Sequence, residues 1–317
     1  MRYDYHRQAD AILLSPEWHR LSGTVCLIPT TADPRPPRQR TTRQTHALQV
    51  TRIALKVAEM WDSQNVKMNI GLIRVAALAH DLAQLPFGHF AEGKDVMPKF
   101  HEEIYGVDSP EFFRHELNGP KCYQHIMNRA GLRPSLEVCE SIREHRQPRK
   151  PKSSPESAVV SIADDIATLL SNFADGMQLP SKRKGLVGIY PEEKVQSLIR
   201  NLGGHRVVEL WEQMVVSWLV DYEAYVESRV KLREIGKSHD YDYVHENYRL
   251  TLRNLKCLDR YHCTSPAIRT DKLENDIKSG LRNFWQRCKY CGLDESEALK
   301  ILLLSNECEI NQQARAP

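Results

Sequence analysis

At 317 residues, with 41% hydrophobic and 27% charged residues, the chain has the make-up of one large globular domain or a domain with an appendage. A net charge of +3 is too small to indicate a nucleic-acid partner by itself, and no apolar run is long enough to cross a bilayer. The opening Met1-Arg2-Tyr3-Asp4-Tyr5 lacks the apolar core of a signal peptide, so a cytoplasmic protein is expected, its 8 cysteines reduced.

Residues 1–45 mix short helical patches with a Pro- and Arg-rich stretch at 34–43, which has no apolar period and reads as loop. A helical period runs over 46–61, where Val50, Ile53, Ala54, Val57, Ala58 and Trp61 share a face and His46 falls in the first turn. A second, apolar helix is expected over 70–81, ending in His80-Asp81. A polar loop over 94–109 follows, then a helix over 110–127 containing His115-Glu116, and a short one over 134–144. Pro155-Glu156 opens the next helix, because Pro suits a first helical position and an acid suits the first turn. Its apolar residues lie nearly all round, which places it in the core. Asp164 and Asp165 sit in its middle, and two acids there need a cation or a strong donor. Further helices are expected over 191–202, 206–230, 243–257, 272–289 and 295–304. No strand-like alternation persists, so the fold class is all-α.

The chemistry concentrates between residues 76 and 92. His80 and Asp81 follow four small or apolar residues, and burying a carboxylate beside an imidazole is costly unless something pairs with both. A divalent cation satisfies them together; the plainer alternative is a helix end that these two merely cap. His89 and Glu92 come after a Pro and a Gly that force a turn, and read as an acid/base pair. His46, His80, Asp81 and Asp164 each lie on a helix that must bury a face. Two imidazoles and two carboxylates suit one divalent ion, Mn, Mg, Fe, Co, Ni or Zn. Arg43 lies three residues before His46 and so belongs beside that ion; the other arginines of its run read as a solvated loop. Cys288-x-x-Cys291 stands alone, with Cys257, His262 and Cys263 at no standard spacing, and zinc is not assigned there.

A His on one helix, an adjacent His-Asp on another and a later Asp resemble the HD superfamily of metal-dependent phosphohydrolases. More narrowly, the chain resembles the dGTPase-like deoxynucleoside triphosphate triphosphohydrolases. The local matches are Ser15-Pro16-Glu17-Trp18-His19-Arg20-Leu21, Arg40-Thr41-Thr42-Arg43-Gln44-Thr45-His46, His80-Asp81-Leu82 through Pro86-Phe87-Gly88-His89 with Glu92, and Ala163-Asp164-Asp165-Ile166-Ala167. Leu255-Lys256 and Arg260-Tyr261 match loosely. The resemblance implies an HD-domain helical bundle with additional C-terminal helices. The expected division is an N-terminal segment at 1–45 reaching the active site, the HD core at 46–180 and a helical region at 181–317 packed on it. It further implies His46, His80, Asp81 and Asp164 as metal ligands, Asp164 being chosen over Asp165 because the family's ligand follows the Ala. Arg43 would contact phosphate, His89 and Glu92 would shape proton transfer, and His115 would be a general acid. Gln84, Thr168, Asn172, Arg253 and Tyr261 would meet the substrate. Attack at the α-phosphorus would release nucleoside and intact triphosphate. A homo-oligomer and a nucleotide effector are also implied.

The chain departs from the family where Gly-His normally follows the His-Asp; Ala83-Gln84 stand there, and a phosphate-contacting imidazole is replaced by an uncharged amide. Thr168 and Asn172 replace a Tyr and an Asp that read the sugar, and Cys26 stands where a Gln is usual. Base and sugar selectivity therefore stay open. Two rivals follow: a phosphatase or phosphodiesterase acting on a modified or cyclic nucleotide, and a nucleotide sensor that barely turns over.

Overall fold

The computed structural model describes residues 3–24, 41–62, 67–108, 110–145, 154–177, 271–305 and 310. Among them the helices are α1 (Tyr5–Leu13), α2 (Pro16–His19), α3 (Arg43–Asp62), α4 (Ile70–Ala79), α5 (Gly88–Glu92), α6 (Met97–Tyr105), α7 (His115–Arg129), α8 (Leu136–Glu144), α9 (Pro155–Met177), α10 (Asp271–Tyr290) and α11 (Glu295–Leu304). No β-strand occurs among the described residues, and the fold is all-α, as the absence of alternation predicts. The chain divides into two compact units, one of Met1–Leu48, Arg74–Arg143 and Pro266–Pro317, the other of Gln49–Ile73 and Glu144–Ser265.

In the first unit the core gathers Leu85, Phe87, Met97, Phe100 and Phe113 against Leu281, Phe284 and Trp285 of α10 and Leu299 and Leu302 of α11. Each such side chain, once buried, contributes roughly 1.5–3 kcal/mol. His101 of α6 is wholly buried among these rings, stacked on Phe112 at 5.1 Å and edge-on to Phe113 at 5.4 Å. Its Nε2 lies 3.2 Å from Glu295 at the start of α11, which ties the C-terminal helix pair to α6. At the other end, the Tyr123 hydroxyl of α7 donates to Gln8 Oε1 at 2.8 Å, and Gln8 Nε2 donates to the Arg133 carbonyl at 2.8 Å. Arg129 grips both oxygens of Glu17 at 3.0 and 2.7 Å. Such a paired, two-pronged contact is directional as well as charged, so α1 and α2 are held in a defined orientation on α7.

In the second unit α9 buries Val159, Val160, Ile162, Ala163 and Ile166. Its Ser161 hydroxyl donates to the His145 carbonyl at 2.7 Å, and Glu156 accepts from the Asn69 backbone N–H at 3.0 Å.

Several boundaries differ from expectation. The helix α3 starts at Arg43 rather than His46, because Thr42 and Thr45 cap it: each backbone N–H donates to the other's hydroxyl, at 2.9 and 3.2 Å. The helix α4 stops at Ala79, so His80 and Asp81 fall in the turn beyond it. The supposed polar loop over 94–109 contains α6, whose Met97, Phe100 and His101 point inward while its polar residues face out. Gly106, left-handed at φ +78°, ends that helix. The expected helix over 110–127 is broken at Arg114 into a 3-10 turn, Pro110–Phe113, and α7. The helices expected over 191–202, 206–230 and 243–257 lie outside the described residues.

Candidate active site

The threonine cap of α3 fixes where Arg43 and His46 stand. Three residues apart on one helix, they share a face, and both are buried. The Arg43 backbone N–H donates to the Thr24 carbonyl at 2.7 Å, and its Nη1 donates to Asp81 Oδ2 at 3.0 Å.

His80 and His46 meet edge to face, ring centroids 5.5 Å apart. His80 Nδ1 lies 2.7 Å from the Ala77 carbonyl. A carbonyl only accepts, so Nδ1 carries a proton, and Nε2 is the ring nitrogen turned toward Asp81. Nε2 is 3.5 Å from Asp81 Oδ2. Burial opposes ionisation of Asp81, yet His80 and the Arg43 guanidinium hold its carboxyl well below the usual carboxylate range. A buried, ionised carboxylate beside the His80 imidazole offers donor types that suit a divalent cation.

Past this turn the backbone reverses at Phe87 and Gly88, both left-handed, with φ +65° and +55°. A non-glycine residue there is strained, and Phe87 is held by burial of its ring. A Cβ at Gly88 would lie 3.1 Å from Arg43 Nη2 and press on that guanidinium, while the left-handed backbone itself favours glycine. The reversal presents α5, which brings His89 and Glu92 to His115 at the start of α7. His115 Nδ1 is 2.7 Å from Glu92 Oε1, and its backbone N–H donates to the same oxygen at 3.3 Å. His89 Nδ1 is 3.0 Å from Glu92 Oε2. Although burial works against it, His115 and His89 keep the Glu92 carboxyl far below the usual carboxylate range. His115 Nε2 in turn lies 3.5 Å from Asp81 Oδ1. Donor atoms of His89, Glu92 and His115 lie within 4.8 Å of one another, a spacing that a cation could also bridge.

The first unit thus brings together His46, His80, Asp81, Arg43, Gln84, His89, Glu92 and His115. Gln84 is wholly buried and its Nε2 donates to Glu92 Oε1 at 3.0 Å. Asp164 and Thr168 belong to the second unit, on α9, where the Thr168 hydroxyl donates to Asp164 Oδ1 at 3.3 Å. Asn172 lies further along α9. Arg253, Tyr261, Cys26, Cys257, His262 and Cys263 lie outside the described residues. Cys288 is buried in the core and Cys291 is exposed.

Arg20 was quoted above only as part of a motif, without a role. Its buried guanidinium donates through Nη2 to the Leu82 and Gln84 carbonyls at 2.8 and 2.7 Å, which pins the turn that carries His80 and Asp81. Burial pushes Arg20 down to about 10, still protonated at neutral pH. The signal that could have found it is Arg-Leu after a capped Pro-Glu-Trp turn; what the arginine reaches lies some sixty residues away and no local pattern reveals it.

Residues 43–169 match the HD domain family. Over that stretch the chain is similar to HD domains. Over 204 residues, 64% of this chain, the sequence is 31% identical to a deoxyguanosinetriphosphate triphosphohydrolase-like protein of Caldanaerobacter subterraneus subsp. tengcongensis, of which 52% is covered. A protein of the same description from Geobacter sulfurreducens is 32% identical over 139 residues, 42% of this chain and 33% of that one. A third, from Nitrosomonas europaea, is 27% identical over 179 residues, 51% of this chain and 43% of that one. The chain spans about half or less of the curated relatives it matches. The stretch similar to HD domains holds His46, His80, Asp81, Arg43, His89, Glu92 and His115 between its ends, and no helix among the described residues is long and apolar enough to cross a membrane.

Proposed function

We propose that the HD domain hydrolyses (deoxy)nucleoside triphosphates at the α-phosphorus, releasing nucleoside and inorganic triphosphate. The observation that carries this reading is that Arg43 and His115 address the same buried carboxylate, on Asp81 Oδ2 at 3.0 Å and Oδ1 at 3.5 Å. An anion-binding guanidinium and an acid/base imidazole then flank one metal-ligating group. The relatives' names point to the same substrate class.

His46, His80 and Asp81 would hold the cation, with Asp164 as the fourth ligand on the strength of the sequence pattern. When bound, the cation supplies Lewis acidity toward a phosphoryl oxygen and water. Arg43 neutralises phosphate charge with a planar two-pronged donor. His115 has a carboxylate facing each ring nitrogen, Glu92 at 2.7 Å and Asp81 at 3.5 Å, and would give a proton to the departing nucleoside oxygen. Glu92 orients that ring, and His89, on the exposed side, exchanges protons with solvent. Water adds to phosphorus, the bond to the nucleoside oxygen breaks, and the nucleoside leaves as an alcohol. Thr168, Asn172, Arg253 and Tyr261 are proposed to meet the sugar, base and outer phosphates.

A panel of ribo- and deoxynucleoside triphosphates, incubated with Mn, Mg, Co, Ni or Zn and resolved by chromatography, tests this. Inorganic triphosphate is the expected product. Monophosphate or pyrophosphate would instead indicate a phosphatase or phosphodiesterase, and tight binding without turnover a sensor.

A further inference from the structure

Gln84 stands where the family resemblance leads one to expect a phosphate-contacting side chain, but its two polar ends are otherwise disposed. The amide is wholly buried. Its Nε2 donates to Glu92 Oε1 at 3.0 Å, the oxygen that also takes the Nδ1 contact and the backbone N–H of His115. The opposite amide orientation would set Oε1 against that carboxylate, acceptor on acceptor, so Glu92 decides which way the group points. Its Oε1 is buried and has no hydrogen-bond partner among the described residues. The Arg20 guanidinium holds the Gln84 backbone carbonyl at 2.7 Å, which fixes the base of the side chain.

A phosphoryl oxygen only accepts. It finds one of the amide's two N–H groups committed to Glu92, the whole side chain closed off from solvent, and the other end an acceptor like itself. We propose that Gln84 is a positioning residue: it braces Glu92 so that the carboxylate keeps His115 and His89 in place, and it does not contact phosphate. The vacant acceptor suits a group that brings a proton, such as water or a ligand hydroxyl. The acid–base cluster thus includes Gln84 beside Glu92, His89 and His115. This inference rests on the hydrolase reading for its kinetics, but not for its geometry.

The test uses Gln84→Met, which keeps length without a donor, and Gln84→His, which restores the family's imidazole, in the full chain. In the first, kcat for a nucleoside triphosphate should fall about 10-fold while KM changes less than about 2-fold. In the second, KM should not fall. In 15N-histidine-labelled protein, the ring nitrogens of His89 and His115 should shift in Gln84→Met while those of His6 and His19 stay put. A rise in KM with kcat intact, a lowered KM in Gln84→His, or unmoved rings would overturn the positioning role. The ring signals are read without substrate. They therefore judge Gln84 even if the wild-type chain releases no triphosphate, the result that would sink the hydrolase reading instead. Melting temperatures screen both variants for folding; should Gln84→Met fail to fold, Gln84→Asn, too short to reach Glu92, carries the same predictions.

Discussion

Glu92 holds His115 at two points with one oxygen, the ring nitrogen at 2.7 Å and the backbone N–H at 3.3 Å. The second contact places a carboxylate at the first residue of α7, where unsatisfied backbone donors and the helix dipole favour negative charge. One side chain therefore fixes the imidazole's orientation and the start of the helix that carries it.

That double hold has a pH signature. The folded carboxyl of Glu92 lies below its unfolded value near 4.3, so the ionised form contributes stability above that pH. The contribution drains away as pH falls toward the folded value. Melting temperature should drop more steeply for wild type than for Glu92→Gln between about pH 5 and pH 3. At neutral pH Glu92→Gln should lose about 100-fold or more in kcat. Parallel melting curves would show that Glu92 is not held ionised by its imidazole neighbours.

Arg20 anchors the turn after α4 through two carbonyls and is buried throughout. Arg20→Met strands both acceptors, and denaturant unfolding should show a loss of about 2–4 kcal/mol. Arg20→Lys, with no fork to span both carbonyls, should recover part of that and no more. A loss within the ordinary surface range of about 0.5 kcal/mol would mean that the turn holds itself.

Gly88→Ala meets two obstacles, a left-handed backbone and Arg43 Nη2 at 3.1 Å from the new methyl. The conformational strain should cost about 1–2 kcal/mol, and displacement of the guanidinium should raise KM for a triphosphate. Unchanged KM in a folded variant would separate Arg43 from substrate binding.

The residues proposed for metal and acid–base roles draw attention in the sequence because they fall in short runs: His80-Asp81 at a buried helix end, and His89 with Glu92 after a Pro and a Gly. The end of α11 and the class of the fold were equally plain from periodicity. The helix α6 was hidden by its charged outer face, although Met97, Phe100 and His101 carry a helical spacing. The contact between Gln84 and Glu92 could not be read at all. A lone amide has no preferred partner in sequence, and only the turn at Phe87 and Gly88 brings Glu92 back within its reach. Arg20 shows the same limit, since its two carbonyl partners are set by tertiary packing.

Metal content is the most direct test of the central claim. Plasma mass spectrometry of the purified chain should find about one equivalent of a divalent metal per chain, lost on replacing Asp81 by Ala in a variant that still folds. No divalent metal in the wild-type chain, or an undiminished content in Asp81→Ala, would contradict a cation held by His46, His80 and Asp81.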